Sequence, residues 1–409
     1  MLAGLRALDL TDSKGLFCGK ILGQLGVDVI KIEPPGGDGS RNIGPFYKNI
    51  VDPEKSLYWF AFNDSKRGIT LNIEIPEGRD IFKMLVKTAD FVIESFPVGY
   101  MDKLGLGYTE LSKINPRVIL TSITPFGQTG PYKEYKDSDI VAMAMGGMMS
   151  LTGPREGAPI RLEPEHSYSL AGSSAALGSL VAHYYREISG EGQHVDVAMN
   201  ECVTLENFME IPWRWEFSHK ARKRQGGFME TYKTRLRVIW PCKDGYFSWL
   251  LKGGTVGEDD NVRLTKWLDD EEIPGEMPDI NLGCLDFETF TQEQYQLIEN
   301  RLMELFSRHT KKEIEEEAVK RGIRLAILHD TKEVYEYEQL KCRDYWEDIE
   351  HPELGTNITY PGKIFLSNVT ETKVRNRAPL IGEHNRQVYE EELGFLKSEI
   401  DRLTKSGVI

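Results

Sequence analysis

The chain has 409 residues, of which 40% are hydrophobic and 28% are charged, and its formal net charge at pH 7 is −14. This length exceeds what one hydrophobic core usually spans, so we expect two domains. An acidic surface repels a phosphate backbone, so we expect no binding to nucleic acid. No apolar run approaches the ~18 residues that cross a bilayer, so we expect no membrane binding. The first residues lack a secretory signal, so we expect a cytoplasmic protein.

Over the first 200 residues, short apolar runs alternate with amphipathic stretches. We predict strands at 6–10, 27–33, 68–73, 90–96, 117–127 and 193–199, and helices at 15–26, from Pro76 onward and from Ser169 onward. Nearly continuous apolar strands separated by helices are typical of a parallel sheet that is covered on both faces. The fold class is therefore α/β, with a doubly wound, Rossmann-like domain that binds ligands at the carboxyl ends of its strands.

A basic and polar stretch near residue 220, SHKARKRQGG, predicts a linker. The run 235–251 predicts a hairpin around the turn Lys243-Asp244-Gly245, and acidic helical stretches such as 311–321 follow it. These features indicate a smaller α+β domain. A helix over 332–350, an extended Pro- and Gly-rich region and a helical tail complete the chain. The predicted boundaries are 1–222, 223–335 and 336–409.

Several local motifs are weak by themselves. PPGGDGSR (34–41) is a glycine-rich loop after a strand, but it lacks both GxGxxG and GK[ST] spacing, and a flexible surface turn is an equal alternative. Lys66 and Arg67 precede a strand and are more typical of solvated surface charges. The five cysteines lie far apart, which is typical of reduced thiols, and no metal-ligand motif occurs.

The order of the landmarks along the chain is far more specific than any one of them. KIEPPGGDGSR, NDSKRGITLNI, DFVIESFPVGYMDKLGLGYTEL, NPRVILTSITPFGQTGPY, DIVAMAMGGMMSLTG, SGEGQHVDVAM and RAPLIGEHNRQVYEEELGF follow one another. This series resembles the class III CoA-transferase family over nearly the whole chain. The resemblance implies a large domain built from both chain ends, to which 336–409 returns, and an interlocked dimer. It also implies coenzyme A or acyl-CoA as a substrate, with no metal.

In that family an aspartate carboxylate attacks an acyl-CoA thioester, and a CoA thioester then forms on the enzyme. Carried over in register, the aspartate position falls on Tyr168, or on Ser167 if the register slips by one residue. A phenol has a pKa near 10 and forms no acyl anhydride. Glu163 and Glu165 lie upstream, and an extended chain would place them ~10 Å or more away.

Two further positions bear on the chemistry. Asp139 matches the family's supporting acid, although an acid in the first turn of a helix is the alternative interpretation. The racemase branch of the family carries a histidine just before that acid. Here the residue is Ser138, so α-proton exchange is disfavoured.

For CoA binding, the resemblance implies that Lys103 and Lys136 face the nucleotide end and that Leu71 backs the adenine, and we add Arg67 as a candidate cation. Pro34 and Glu74 stand where some members carry cations, and Glu74 would repel a phosphate.

The segment KGGTVGEDD (252–260), with Gly253 and Gly254, resembles the mobile glycine loop that covers the family's active site. An exposed hairpin loop is an equal alternative.

The leading hypothesis is a non-nucleophilic subunit of a heteromeric CoA-transferase, in a heterodimer or heterotetramer whose paralogous subunit supplies the aspartate. The benzylsuccinate CoA-transferases, with two different subunits, are the precedent, and succinyl-CoA is a candidate donor. An aromatic acid is a candidate acceptor, because aromatic residues after 206 could line a pocket for it: Phe208, Trp213, Trp215, Tyr232 and Trp240. Packing in the core or at an interface is the alternative interpretation of these residues. The alternatives are a self-sufficient homodimer that uses Glu163 or Glu165, and a CoA-ester-binding protein without catalysis.

Overall fold

The computed structural model describes residues 1–136, 138–162, 165–207 and 214–409, with the backbone alone at Arg214 and Val256. The chain divides into two compact units. The large unit contains Met1–Met148, Arg161–Ala221 and Glu338–Ile409, and the small unit contains Met149–Ile160 and Arg222–Tyr337. Within the described residues, no helix is both long and apolar enough to cross a membrane.

The large unit begins with alternating strands and helices. In chain order these are β1 (Arg6–Asp9), α1 (Leu16–Gln24), β2 (Asp28–Glu33), α2 (Leu57–Asn63), β3 (Lys66–Thr70), α3 (Pro76–Val86), β4 (Phe91–Glu94), α4 (Tyr100–Lys103), α5 (Tyr108–Ile114), β5 (Ile119–Thr124), α6 (Asp139–Met145), α7 (His166–Ser189), β6 (His194–Ala198), α8 (Met199–Glu206) and α9 (Arg214–Ser218).

Six strands of the described chain form one sheet in the order β3-β2-β1-β4-β5-β6, and every pairing is parallel. The central strands are buried along almost their whole length, as their continuous apolar sequences predict. The order reverses between β1 and β4, which makes the carboxyl ends of these two strands a topological switch point. The predicted α/β fold with a doubly wound parallel sheet is confirmed, and the interlocked dimer stays a prediction.

Helix α7 packs its small residues against α1. Ala171, Ala175 and Ala176 are buried on this face. A Cβ atom at Gly172 would lie 2.8 Å from the Cβ of Phe17, so only glycine allows this approach. The small-residue sequence of α7 therefore serves helix packing.

Residues 376–385 cover the edge strand β3. The backbone N–H of Gly68 donates to Nδ1 of His384, and Thr70 N–H donates to Oδ1 of Asn385. The Tyr389 hydroxyl donates to the Thr70 carbonyl over 2.6 Å. These bonds occupy backbone groups that an edge strand would otherwise expose.

The small unit contains β7 (Phe228–Glu230), β8 (Arg235–Arg237), β9 (Ile239–Cys242), β10 (Gly245–Ser248), α10 (Gly254–Asp270), α11 (Gln292–Ser307), α12 (Lys311–Arg321), β11 (Ala326–Ile327) and α13 (Thr331–Glu336). Strands β9, β10 and β11 form an antiparallel sheet. The hairpin predicted at 235–251 is present as β9 and β10, with Cys242 opposite Gly245. Trp240 is fully buried and packs in the core of this unit.

The chain then returns to the large unit with α14 (Glu338–Cys342), β12 (Trp346–His351), β13 (Thr356–Pro361) and α15 (Lys397–Lys405). The single helix predicted over 332–350 is wrong. Asp330 starts α13 through a capping box with Glu333, but the chain is extended again at Tyr337. Residues 346–351 instead pair with β13 along its whole length, so their backbone hydrogen bonds join two antiparallel strands and not the turns of a helix.

Candidate functional site

A cavity of about 430 Å³ lies at the carboxyl ends of β1 to β4, beside the switch point. The strand β2 contributes its last two residues, Ile32 and Glu33, and all four strands contribute residues that follow them. Its apolar floor and polar rim consist of Leu10, Asp12, Ile32, Glu33, Pro34, Pro35, Asp38, Leu71, Asn72, Ile73, Glu74, Ser95, Phe96, Tyr100 and Gly407. An apolar floor with a few polar groups suits a small organic ligand. We call this space the switch-point cavity.

Arg41, from the glycine-rich loop, neutralises a carboxylate of this cavity. Its Nε and Nη2 lie 2.6 and 2.8 Å from the two Glu33 oxygens, and its side chain is 1% exposed. The guanidinium also stacks on Trp59, with Cζ 3.8 Å from the ring centre. This buried pair anchors the end of the loop 34–41, while residues 34–36 and 39 are exposed. Sequence analysis missed Arg41.

Lys66 and Arg67 are not solvated surface charges. Lys66 is fully buried at 2.8 Å from Asp9 Oδ2, and it also donates to Asn63 Oδ1 over 2.9 Å. Desolvation lowers the pKa of Lys66, and the nearby lysine charges hold the pKa of the buried Asp9 below its usual value. Arg67, at the amino end of β3, binds Asp28 through Nε and Nη2 at 2.8 and 2.7 Å.

Of the other residues predicted to bind CoA, one lines the switch-point cavity and two are exposed outside its lining. Leu71 is 2% exposed and lines the switch-point cavity. Lys103 and Lys136 are exposed and are not among the described residues that line it. Lys103 does lie on α4, whose Tyr100 lines the cavity and donates its hydroxyl to Glu74 over 2.9 Å. The structure therefore brings Leu71 and Glu74 together at one cavity and leaves Arg67 at the opposite end of β3.

Asp139 holds the start of α7. Its Oδ1 accepts the Ser167 N–H over 2.9 Å and the Ser167 hydroxyl over 2.7 Å, and its Oδ2 accepts Arg161 Nε over 2.9 Å. The carboxylate is 3% exposed, and Ser167 is fully buried. An acid at a helix N-terminus satisfies N–H groups that have no partner in the helix itself. Sequence analysis missed Arg161.

Tyr168 and Glu165 lie together at this helix start, beside Tyr58. Tyr168 is half-buried against the core of the large unit, and its N–H donates to the Glu165 carbonyl over 3.1 Å. Tyr58 donates its hydroxyl to Glu165 Oε2. Burial, reinforced by this bond, raises the pKa of Tyr58 far above its usual value. The extended-chain separation of ~10 Å does not apply to Glu165, because 165–168 form a helical turn. Glu163 lies outside the described residues.

Gly253 and Gly254 lie at the start of α10 in the small unit. Residues 254–260 are helical, so the predicted loop over 252–260 is wrong beyond Gly253. A Cβ atom at Gly253 would lie 2.8 Å from the Phe287 ring, and Gly254 has a φ of +58°. Both glycines line a cavity of about 440 Å³ together with the exposed Tyr232. Trp215 is exposed on α9, while Phe208 and Trp213 lie outside the described residues.

A second polar cluster, which sequence analysis missed, lies on the other side of the switch point. Glu94 ends β4, Ser122 lies opposite it on β5, and His194 begins β6. All three line a cavity of about 480 Å³. Burial raises the pKa of Glu94 to about 7. Polar residues within or at the end of apolar strands, as in IES (93–95) and LTS (120–122), were the available signal.

Among the described residues, no group of His, Cys, Asp and Glu side chains is placed to hold a metal ion. The site chemistry available on these residues is carboxylate, phenol and hydroxyl chemistry at the start of α7. The switch-point cavity lies in the same unit, at the carboxyl ends of β1 to β4.

Comparison with known proteins gives consistent matches across the chain. The sequence matches the family model for CoA-transferase family III over residues 2–385. It is 32% identical to the succinyl-CoA:(R)-benzylsuccinate CoA-transferase subunit BbsE of Thauera aromatica, over 99% of this chain and 97% of that protein. It is 32% identical to the formyl-CoA:oxalate CoA-transferase of Streptomyces coelicolor, over 100% of this chain and 99% of that protein. A crystal structure of a CAIB/BAIF family protein from Brucella suis superposes with a TM-score of 0.79 and 28% identity, covering 95% of this chain and 98% of that one.

Proposed function

Since this chain belongs to the class III CoA-transferase family, we propose that it is the non-nucleophilic subunit of a heteromeric CoA-transferase. The observation that carries the proposal is the phenol of Tyr168 at the start of α7, where the family resemblance implies an aspartate. Asp139 does not replace that aspartate, because Ser167 and Arg161 already bind both of its oxygens. A paralogous subunit would supply the nucleophile.

In the proposed reaction, the partner's carboxylate attacks the acyl-CoA carbonyl and expels CoA thiolate, which gives a mixed anhydride. The thiolate then attacks the enzyme carbonyl of that anhydride, releases the donor acid and leaves a CoA thioester on the enzyme. The acceptor carboxylate then attacks the enzyme thioester and expels CoA thiolate, which gives a second mixed anhydride. The thiolate attacks the acceptor carbonyl of that anhydride, gives the product thioester and restores the enzyme carboxylate. Succinyl-CoA as donor and an aromatic acid as acceptor are proposed on the name of the BbsE relative.

We place the nucleotide end of CoA in the switch-point cavity. Leu71, Ile32 and Phe96 give it an apolar surface for a flat base, and Lys103 stands on the adjacent α4. Arg67 is left out, because Asp28 and Glu392 already bind it at the far end of β3. Glu74 at the cavity rim opposes the phosphates, so we expect weaker CoA binding here than a cationic rim would give.

The test is to purify the chain alone and together with its paralogue, and to assay CoA transfer from succinyl-CoA. Activity of the pair but not of the single chain is expected. In a second arm, Tyr168→Asp supplies a carboxylate at the same position and Tyr168→Phe serves as the matched control. Hydroxylamine should trap a modified Asp in the first variant only, as a mass change in the peptide. Strong activity of the unmodified single chain would contradict the proposal.

A self-sufficient homodimer that uses Glu165 is the second candidate. It is favoured by the position of Glu165, which directly precedes α7 with a φ of 28° and shares a hydrogen bond with Tyr58. This candidate predicts that Glu165→Gln abolishes activity of the single chain, while Tyr58→Phe retains the carboxylate and reduces activity less. Trapping with hydroxylamine should then mark Glu165 in the unmodified chain.

A further inference from the structure

Glu94 connects the second polar cluster to the switch-point cavity. It is the last residue of β4, and it is 4% exposed. Its Oε2 accepts the backbone N–H of Phe96 over 2.7 Å. Phe96 lines the switch-point cavity, and its ring lies 4.7 Å from the ring of Tyr100 in the same wall. The carboxylate of Glu94 therefore fixes the backbone of a cavity residue.

On its other side, Glu94 belongs to a chain of hydrogen bonds. Ser122 lies opposite Glu94 in the register of β4 and β5, where its hydroxyl acts on the Glu94 carboxylate, and Ser122 Oγ lies 2.9 Å from Nε2 of His194. Ser122 is 2% exposed. The His194 ring stacks on Tyr108 at 6.0 Å, which fixes its plane. Carboxyl, hydroxyl and imidazole thus form a continuous relay across β4, β5 and β6.

The relay has two complete arrangements that differ by one proton. With Glu94 ionised, Ser122 donates to the carboxylate and accepts the Nε2–H of His194. With Glu94 protonated, its O–H donates to Ser122 Oγ, and Ser122 donates to the bare Nε2 of a His194 that carries its proton on Nδ1. Uptake of a proton by Glu94 therefore reverses both bonds and changes the tautomer of a neutral ring.

The charged groups around the relay favour protonation of Glu94. Asp12 after β1 and Asp102 on α4 both act on Glu94, and Asp102 and Asp196 act on His194. Lys133 is the cation among the described residues that line this cavity. Burial, with these acids, brings the pKa of Glu94 to about 7, and desolvation lowers the pKa of His194, which favours its neutral ring.

We propose that Glu94 is a positioning residue that couples proton uptake by the Glu94–Ser122–His194 relay to the position of Phe96 in the switch-point cavity. The ionised carboxylate accepts the Phe96 N–H more strongly than the neutral carboxyl does. The wall of the cavity is therefore held in place at high pH and released at low pH. The inference rests on the proposed function, because it takes CoA as the ligand of that cavity.

Calorimetric titration with CoA from pH 5.5 to 8.5 tests the coupling, on the full chain together with its partner. Glu94→Gln keeps an acceptor for the Phe96 N–H but cannot titrate. The titration of CoA itself affects both proteins equally, so it cancels in the ratio of the Kd of Glu94→Gln to the Kd of the unmodified protein. We expect this ratio to rise at least about threefold between pH 6 and pH 8. Glu187→Gln, an exposed carboxylate on α7, is the control and should follow the unmodified protein.

A ratio that is constant, or that falls as the pH rises, would overturn the inference while CoA binding itself supports the proposed function. Absence of CoA binding at every pH would overturn both. A second measurement needs no ligand. The ¹⁵N shifts of His194 should report a change of tautomer near pH 7 in the unmodified protein and none in Glu94→Gln or Ser122→Ala. An unchanged tautomer in all three would also overturn it.

Discussion

Replacing Asp139 by alanine is expected to lower the free energy of unfolding by ~3 kcal/mol. The carboxylate is 3% exposed and accepts three hydrogen bonds, two from Ser167 and one from Arg161. The variant leaves the buried N–H and hydroxyl of Ser167 without acceptors, and each such group costs ~1–3 kcal/mol. Arg161 is 35% exposed, so the loss of its bond to Asp139 adds little to the cost.

The assay is urea unfolding followed by far-ultraviolet circular dichroism at pH 7. Ser167→Ala is the matched control, because it removes one hydroxyl bond and keeps the carboxylate, and we expect it to cost ~1 kcal/mol. A loss below ~1 kcal/mol in Asp139→Ala would refute the reasoning. Reduced transferase activity with unchanged stability would instead assign Asp139 to the chemistry.

Three other predictions concern buried charges and packing. Glu94→Gln should gain ~2 kcal/mol of stability over the unmodified chain between pH 5 and pH 8, measured by urea unfolding. The sign follows because the folded pKa of about 7 exceeds the usual glutamate pKa of 4.5, so the unfolded chain ionises first and the unmodified protein loses stability through this interval. A pH-independent difference would contradict the prediction. Lys66→Ala should cost ~3 kcal/mol in the same assay, because the buried Asp9 loses its partner at 2.8 Å while Lys31 remains at 3.7 Å. A loss below ~1 kcal/mol would show that the Lys66–Asp9 pair is dispensable. Gly253→Ala should cost ~1–3 kcal/mol in thermal unfolding, since its Cβ would lie 2.8 Å from the Phe287 ring, and an unchanged Tm would show that this ring moves aside.

The sheet was predictable because its strands are short, apolar and separated by helices. The shift of β3 from 68–73 to 66–70 has a specific cause. Lys66 and Arg67 are charged and so were excluded from the strand, but ion pairs with Asp9 and Asp28 allow both side chains to lie within it. Such pairs join residues far apart in the sequence, and a local pattern contains no information on them.

The candidate site was predictable only in part for the same reason. The start of α7 follows from a run of small residues, and the phenol of Tyr168 is visible in the sequence. The partner of Ser167 is Asp139, which lies 28 positions away and enters from another helix. The burial of Glu94 at the end of an apolar strand depends on the packing of β5 and β6 around it, and this packing fixes its pKa.

The hydrogen bonds between residues 376–385 and β3 affect how the chain folds while it is being synthesised. Residues 376–385 supply hydrogen-bond partners to Gly68, Thr70 and Ser65, which leave the ribosome some 300 positions earlier. At ~5–20 residues per second, that interval leaves one margin of the nascent sheet unprotected for tens of seconds. Two growing chains have that window in which to adhere along β3 unless a chaperone covers it.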